Sequence, residues 1–434
     1  MPRGPLTGVQ ALCSVALSAA VGLIVARWAR SRWTRSRWIY LLLPLLFWIA
    51  LELARVRVRG PSVDLPHGSV LGVVVLVAGR GLQALLTAVP MLLALAWGRG
   101  VTGRPGQAAM AVVTGTLLLF TVDLALPART ASIPGPDSVA ELTDVGGLGV
   151  MIRGAHATAP VLLFVPGSPG GTERGAVRHR LGMIEQRFMM VTLDRRGGGA
   201  SYPALDPTGR VTLDQQVGDI LAVTDYLRSR FHQDKIYLLG HSGGSIPAVL
   251  AVVRHPEKYL AYIGSGQAVD LPARDRIFYD DIIAWARRTG HDDVAARLTE
   301  EGPPPYRSVW DYEPFLIWEN TAYAQRDDPL DIGVRELTLL QKVHTLNAIL
   351  DTWDVLYPRM QAADLRRDVP ALPVPAWFVQ GGNEMRGLSV VFDEWYGGLT
   401  APRKHVVTLP GAGHRVMFEQ PAAFAKVLDD VLAG

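Results

Sequence analysis

The sequence predicts an α/β protein in which helices cover both faces of a mostly parallel sheet, preceded by an all-helical membrane region. Two observations support this prediction. After residue 136, short apolar segments alternate with longer helical patterns such as 213–231, which is typical of a parallel sheet. Before that point, apolar segments long enough to cross a bilayer follow one another. The strand candidates are 161–165, 189–193, 236–239, 259–263, 377–379 and 405–409.

Composition divides the chain in the same place. Hydrophobic residues make up 49% of the 434 residues, which is high for a soluble protein. Residues 1–135 carry 13 Arg and no Lys against three acidic residues, so this part is strongly basic and the remainder is mildly acidic. Nothing in this pattern favours nucleic-acid binding. The single cysteine, Cys13, excludes an intramolecular disulfide and a cysteine-based metal site.

The membrane region, residues 1–130, is predicted to contain about four spans. The first, 9–26, is followed by five arginines interleaved with three tryptophans, which suits a membrane interface. This order argues against a cleaved signal peptide, in which basic residues precede the apolar run. The second span is predicted at 39–54, the third within 70–97 and the fourth at 108–126.

The charges of the loops predict the orientation of this region. With four spans, the more basic loops lie in the cytoplasm and the domain that follows lies outside it, whereas an odd number of spans would reverse this. Residues 127–136 are rich in Pro, Ala, Ser and Gly and form a linker. We therefore expect a multi-pass protein of the cell membrane whose main domain is extracytoplasmic.

Residues 269–370 interrupt the alternation of strands and helices. They contain several helical patterns, many Arg, Asp, Trp and Tyr residues, and no convincing strand. Such an insertion above the carboxyl edge of a sheet predicts a helical cap, because aromatic residues such as Trp310, Tyr312 and Trp353 need a surface to pack on. A surface insertion without function is the alternative. The predicted domains are 1–130, a sheet domain formed by 131–268 and 371–434, and the cap at 269–370.

The sheet domain is organised around residues 236–245. Residues 236–239 predict a buried strand, 240–244 (Gly-His-Ser-Gly-Gly) have the Gly-x-Ser-x-Gly pattern, and a helical pattern begins near Ser245. A strand that ends in such a turn and leads into a helix is a nucleophile elbow, which exposes the serine hydroxyl at the edge of a sheet. Glycines at both ends of the turn avoid clashes that a Cβ would cause. We therefore predict that Ser242 is a nucleophile.

A serine becomes nucleophilic when a base removes its proton, and the base needs a group that orients it. After such an elbow, the expected chain order is serine, acid, histidine. His414 follows the last predicted strand in a Gly-rich loop, and among the ten histidines it alone has this strand-then-loop context late in the chain, so it is the candidate base. Glu384 lies in the turn after 377–379 and is the candidate acid, with Asp393 in reserve.

Two more loops follow predicted strands on this side of the sheet. Residues 166–171 form a Gly/Pro loop whose backbone N–H groups are free to donate. An N–H of Gly167 or Ser168, together with that of Gly243, therefore predicts an oxyanion hole. The loop at 194–201 is predicted to support the site through ion pairs and backbone hydrogen bonds rather than to take part in chemistry. Its supporting residues are Asp194, Arg195 and Gly197.

From about residue 138 to its end, the chain resembles the proline-iminopeptidase-like branch of the α/β-hydrolase superfamily. Residues 166–170 (Pro-Gly-Ser-Pro-Gly) resemble that family's His-Gly-Gly-Pro-Gly loop, and 194–201 its Asp-x-Arg-Gly-x-Gly-x-Ser loop. The elbow, the His-Pro-Glu run at 255–257 and the Gly-His pair at 413–414 also match. The resemblance implies the α/β-hydrolase fold, and as catalytic triad Ser242, Glu384 and His414.

The sequence departs from this family at three positions. Pro166 stands in place of the family's His, Ser168 in place of its second Gly, and Gly243 where the aminopeptidases usually carry Trp. The resemblance therefore implies hydrolysis more strongly than the release of an amino-terminal proline. The cap carboxylates that would bind a peptide amino terminus stay open among Asp280, Asp281, Glu313 and Glu319.

We expect a membrane-anchored serine hydrolase that cleaves a small ester, amide or amino-terminal peptide bond through an acyl-enzyme. No metal and no organic cofactor is expected. The expected partners are a small-molecule or short-peptide substrate and the lipid bilayer, and the oligomeric state stays open. The alternative is a catalytically silent ligand-binding or sensor module of the same fold. Haloalkane or epoxide chemistry would need Asp in place of Ser242, and spans without broken-helix signals argue against a transporter.

Overall fold

The computed structural model divides into two compact units, of which one comprises residues 128–337 and 348–434. The other takes in the described residues before 128 together with 338–347. The sheet and the candidate site belong to the first unit, and elements are numbered from residue 139 onward. The structure describes residues 15–23, 86, 88–94, 107–108, 111–112, 114–115, 119, 126–167, 170–206, 208–325 and 331–434.

An eight-stranded sheet forms the centre of this unit, in the order β1-β2-β4-β3-β5-β6-β7-β8. The pairs β1–β2 and β2–β4 are antiparallel, and every other neighbouring pair is parallel. The mostly parallel sheet is therefore confirmed. The strands are β1 (Val139–Val145), β2 (Leu148–Gly154), β3 (Val161–Val165), β4 (Met189–Leu193), β5 (Ile236–His241), β6 (Tyr259–Ser265), β7 (Ala376–Gly381) and β8 (Lys404–Leu409).

The hairpin of β1 and β2 was not among the predicted strands. Its two-residue turn consists of Gly146 and Gly147, with φ angles of +63° and +87°. Positive φ at both central residues is the requirement of a type I′ hairpin turn, and Gly-Gly meets it without steric cost. The signal was present in the sequence, but every residue of β1 is at least partly exposed, so the strand lacks the apolar run that marks the others.

Helices pack on both faces of the sheet because the parallel strands are apolar on both sides. Leu162 and Phe164 of β3 belong to one buried cluster with residues of the first and last helices, such as Val177 and Phe424. Leu163 points to the opposite face and is also fully buried. The helices outside the β6–β7 connection are α1 (Arg174–Arg180), α2 (Leu213–Phe231), α3 (Ser245–Arg254), α10 (Arg386–Gly398), α11 (Val416–Glu419) and α12 (Pro421–Ala433).

Between β6 and β7, the described residues form helices and no named strand. Aromatic rings pack together within this segment, as at Trp353 and Tyr357, whose centroids are 3.9 Å apart, and at Tyr312 and Trp353, 5.3 Å apart. We keep the name cap for residues 269–370. Its helices are α4 (Leu271–Thr289), α5 (Asp292–Glu301), α6 (Glu313–Ala322), α7 (Leu339–Val355), α8 (Tyr357–Met360) and α9 (Leu365–Asp368).

The four predicted membrane spans lie for the most part outside the described residues. Helical residues are described at 15–23, 86 and 88–94, with a few more between 107 and 119. Within the described ranges, no helix combines the length and the apolar character that crossing a membrane requires. The membrane region consequently stays a prediction from the sequence.

Candidate active site

Ser242 lies at the end of β5, in a turn that only small neighbours allow. Its φ of +50° falls in the left-handed region, which a non-glycine residue adopts only under strain. A Cβ at residue 244 would lie 2.1 Å from the carbonyl oxygen of Pro166, and one at residue 240 would lie 2.8 Å from Cα of Ser245. Glycine is therefore required at both positions. The local structure is the nucleophile elbow that the motif predicts.

The structure brings Ser242, His414 and Glu384 together at the carboxyl ends of three strands. His414 Nε2 lies 2.8 Å from Ser242 Oγ, and its Nδ1 lies 2.9 and 3.0 Å from the two carboxylate oxygens of Glu384. A carboxylate only accepts hydrogen bonds, so Nδ1 carries the proton and Nε2 can accept one from Oγ. The reserve candidate, Asp393, is exposed on α10.

The environment of His414 favours its protonated form. Burial, the largest influence, lowers the pKa of the imidazole. The charge and hydrogen bond of Glu384, together with the charge of Glu319, outweigh burial and the nearby Arg274, so the pKa of His414 is raised above its ordinary value. A histidine in this setting binds a proton from Oγ more readily than a free imidazole would.

Gln325, a cap residue that the sequence did not reveal, holds the loops of His414 and Glu384 together. Its side-chain oxygen accepts a hydrogen bond from the His414 N–H at 2.6 Å, and its Nε2 donates to the Asn383 carbonyl at 3.0 Å. A Cβ at residue 413 would lie 2.1 Å from the Gln325 oxygen. A larger residue than glycine would therefore clash with Gln325 at position 413. This glycine is the one feature of the sequence that reflects the contact between Gln325 and the His414 loop.

The predicted oxyanion donors differ in their availability. The Gly167 N–H donates to Oε2 of the buried Glu173 at 3.0 Å, so this donor is already engaged. Ser168 lies outside the described residues. Gly243 belongs to the short helical turn Ser242–Gly244, and the first N–H groups of a helix have no acceptor within it. Gly243 thus offers a donor directly beside the Ser242 hydroxyl.

The loop at 194–201 packs behind the site. Asp194 is fully buried, pairs with Arg174 at 2.9 Å and accepts a hydrogen bond from the Ala200 N–H at 2.9 Å. Arg195 donates to the carbonyl of Pro166 at 3.2 Å, which connects this loop to the loop after β3. Gly197 has a φ of +90°, which explains why glycine stands there.

Of the four cap carboxylates that the sequence left open, all of them described in the structure, Glu319 is the one that interacts electrostatically with the site histidine. In the described part of the chain, its side chain accepts no hydrogen bond, but it interacts electrostatically with His414 and Arg274. Burial, the largest influence, raises the pKa of Glu319, and these positive charges offset it only in part. The others are engaged or remote: Asp281 pairs with Arg386 (2.6 Å), Glu313 pairs with Arg297 (2.9 Å), and Asp280 is exposed.

Arg274 is held in place by its own partners beside Glu319. Its Nη2 donates to Asp275 at 2.6 Å and to the Tyr357 hydroxyl at 2.6 Å. The Tyr357 hydroxyl in turn donates to the other oxygen of Asp275 at 2.6 Å. The sequence did not single out this cluster. Across the described ranges, no group of three or more His, Cys, Asp or Glu residues is arranged to hold a metal ion.

This fold and this site define a class of protein. A mostly parallel sheet with a serine at an elbow after one strand, and an acid and a histidine after two later strands, is the arrangement of hydrolases of the α/β type. The chain belongs to the alpha/beta hydrolase family, whose family model matches residues 162–427. The resemblance inferred from the motifs is confirmed at this level.

The chain is also similar to individual known proteins. A protein named "Probable aminopeptidase YbaC", from Bacillus subtilis (strain 168), is 27% identical over 293 residues, which cover 64% of this chain and 91% of that protein. A proline iminopeptidase from Mycobacterium smegmatis has 15% identity and a TM-score of 0.49, with coverage of 68% and 98%. A bacterial membrane phospholipase A has 20% identity and a TM-score of 0.48, with coverage of 75% and 94%. The chain is therefore a hydrolase of the alpha/beta family.

Proposed function

We propose that this protein is a serine hydrolase that cleaves small ester, amide or amino-terminal peptide bonds through an acyl-enzyme. The observation that carries the proposal is the chain of contacts from Ser242 Oγ through His414 to Glu384, with distances of 2.8 and 2.9 Å. Covalent labelling of the purified full chain by a fluorophosphonate, which reacts with activated serines, tests it. The expected result is stoichiometric labelling.

In this mechanism, Ser242 Oγ attacks the carbonyl carbon of the substrate while His414 Nε2 takes the hydroxyl proton. His414 then gives this proton to the leaving alcohol or amine, and the acyl group stays on Ser242. Water then attacks the acyl-enzyme while His414 again takes up a proton as base. His414 returns this proton to Ser242 Oγ, which releases the acid product and restores the serine. Glu384 holds the Nδ1 proton and stabilises the imidazolium that forms in each step.

The oxyanion of each tetrahedral intermediate needs two N–H donors. We propose the Gly243 N–H as one of them, because it follows the nucleophile at the start of a helical turn. In the loop after β3, the Gly167 N–H is engaged by Glu173, which leaves the Ser168 N–H as the second donor of our proposal.

For the peptidase form of this proposal, Glu319 is the residue we assign to the free amino group of the substrate. Its carboxylate lacks a hydrogen-bond partner within the described residues and interacts electrostatically with His414. An ammonium group would supply the missing partner, and its positive charge would offset the effect of burial, which raises the pKa of Glu319. Arg274, held by Asp275 and Tyr357, keeps a fixed positive charge near this carboxylate.

The variant Glu319→Gln is expected to change both substrate preference and pH dependence. Loss of a charged partner lowers kcat/KM for an aminoacyl ester by about 10- to 100-fold relative to the N-acetylated ester of the same alcohol. Loss of the negative charge also lowers the pKa of His414, so the acid limb of kcat/KM shifts to lower pH for both esters. Steady-state kinetics between pH 5 and 9 measure both effects. The exposed Asp280→Asn serves as the control, and equal losses with both esters would contradict the amine-binding role.

We also propose that residues 1–130 anchor the hydrolase in a membrane, with the catalytic domain on the extracytoplasmic side. Its support is the sequence pattern, together with large apolar side chains that are exposed among the few described residues of this region. Leu17 is 54% exposed, Leu23 49%, Val112 68% and Leu119 73%. A Cβ at residue 22 would lie 2.6 Å from the Met91 carbonyl oxygen, a close approach of the kind that small residues permit between membrane helices.

The full chain is expected to sediment with membranes, to stay there after alkaline carbonate extraction and to be released by detergent. A fluorophosphonate that cannot cross membranes should label it on intact cells, with Ser242→Ala as the unlabelled control. Recovery in the carbonate supernatant would contradict the anchor. Labelling only after lysis would contradict the extracytoplasmic orientation.

A further inference from the structure

Glu173 is a buried carboxylate at the point where three loops of the candidate site meet. Only 8% of the residue is exposed. Its Oε2 accepts the Gly167 N–H at 3.0 Å and lies 2.9 Å from Nδ1 of His241, and its Oε1 accepts a hydrogen bond from the Arg415 guanidinium. No motif of the sequence contains Glu173.

Each of these partners stands next to a residue of the proposed chemistry. Gly167 precedes Ser168 in the loop after β3, His241 precedes Ser242, and Arg415 follows His414. The carboxylate therefore connects the loop of the oxyanion donor, the nucleophile elbow and the histidine loop.

The contacts between these loops are tight, so a change at Glu173 reaches the reacting atoms directly. A Cβ at residue 167 would lie 3.0 Å from both His241 Nδ1 and Ser242 Cβ. The rings of His241 and His414 are 5.4 Å apart. The side chain of Arg415 is fixed from its other side as well, because its guanidinium stacks over the Phe418 ring at 4.5 Å.

The charge of Glu173 suits this bridging position. Burial alone would raise the pKa of the carboxyl, but the charges of His241 and Arg415 and the hydrogen bonds from His241 and Gly167 hold the pKa of Glu173 well below its usual range. The group is therefore ionised at neutral pH. An ionised carboxylate can accept all three donors, and charge-assisted hydrogen bonds are stronger than neutral ones.

We propose that Glu173 is a positioning residue that fixes the nucleophile elbow, the histidine loop and the loop after β3 relative to one another. By engaging the Gly167 N–H, it also fixes the peptide plane between Pro166 and Gly167. This inference rests on the proposed function, since it concerns the geometry of the same reaction. Glu173 is thus a further buried acid at the site, and the hydrogen bonds named above join it to the neighbours of the reacting residues rather than to Ser242 or His414 themselves.

Two substitutions separate the effect of the charge of Glu173 from the effect of its side-chain length. Glu173→Gln keeps the length but offers one acceptor oxygen to three donors and places an NH₂ group against one of them. Glu173→Asp keeps the charge and both acceptors but is one methylene shorter. The matched control is Glu185→Gln, because Glu185 is 6% exposed and pairs with Arg153 and Arg178, away from the three loops.

The experiment measures kcat and KM for a soluble ester, the rate constant of fluorophosphonate inactivation and the thermal midpoint of the full-length wild type and of each variant. Glu173→Gln is expected to lower kcat and the inactivation rate by about 10- to 100-fold, with KM changed by less than about threefold, because displaced reacting groups affect the transition state more than binding. Glu173→Asp should regain part of the loss. Glu185→Gln should lower the thermal midpoint and keep kcat within about twofold.

The outcomes that would contradict the positioning role of Glu173 differ from the outcome that would contradict the proposed hydrolase function. A Glu173→Gln variant with a lowered thermal midpoint but wild-type kcat would show a structural role alone and overturn the inference. If that variant does not fold, a Glu173→Asp variant that folds with wild-type kcat and inactivation rate would overturn it equally. A folded wild type that does not react with the fluorophosphonate would instead contradict the proposed function itself.

Discussion

Replacement of Ser242 by alanine is expected to abolish fluorophosphonate labelling and to lower kcat by about 10⁴-fold or more. The variant lacks the oxygen that forms the bond to the acyl group, and water without an activated serine is a far slower nucleophile. Mass spectrometry of the labelled wild type should place the added phosphonate on the peptide that contains Ser242. Ester turnover measured over hours gives the residual rate of the variant.

The control for this change is Ser389→Ala, since Ser389 lies on α10 and, among the described residues, its hydroxyl bonds only to the Arg386 carbonyl of the same helix. It should label and turn over as the wild type does. Persistent labelling of the Ser242→Ala variant would show that another nucleophile reacts. A folded wild type that resists labelling would favour the alternative of a silent binding module.

The second large loss of activity is expected from substitutions of the other two residues of the candidate triad, His414 and Glu384. His414→Ala removes the base, and kcat should fall by about 10⁴-fold. Glu384→Gln keeps the shape of the side chain but can turn its NH₂ group toward Nδ1, which forces the imidazole into the tautomer that cannot accept the serine proton; we expect a loss of about 10³-fold or more. Because the three residues act as a unit, Ser242→Ala combined with His414→Ala should be no slower than Ser242→Ala alone.

Asp393→Asn is the informative comparison for Glu384→Gln. Asp393 is the reserve candidate for the acid and also follows β7, but its side chain is exposed on α10 while Glu384 contacts His414. Asp393→Asn should keep kcat within about twofold. A larger loss in Asp393→Asn than in Glu384→Gln would assign the acid to Asp393.

The sequence was most informative where structure depends on neighbours along the chain. Six strands were predicted from apolar runs, and the elbow was predicted because strand, turn and helix follow one another around Ser242. His414 and Glu384 could be predicted as candidates because each follows a predicted strand in the expected chain order of serine, acid and histidine. The hairpin at 139–154 was not predicted in this way, since its first strand is partly exposed and lacks an apolar run. The sequence feature that indicates this hairpin is its Gly-Gly turn.

The sequence was uninformative where a role depends on contacts between distant segments. Gln325 meets His414 across 89 residues, and Glu173 meets Arg415 across 242 residues. Neither residue stands in a pattern of its own, and a lone Glu or Gln in a loop is usually solvated. Their partners left only indirect traces, such as the glycine at 413, which makes room for Gln325. Such residues are found once the fold has brought their partners together.

The backbone of Ser242 has a consequence for how this protein can evolve. A non-glycine residue at a φ of +50° is destabilised by about 1 to 2 kcal/mol, and glycine would escape this penalty at the same position. Folding stability and reactivity therefore favour different residues at position 242. Without selection for the proposed chemistry, mutation would be expected to replace this serine by glycine, because glycine is more stable in this turn.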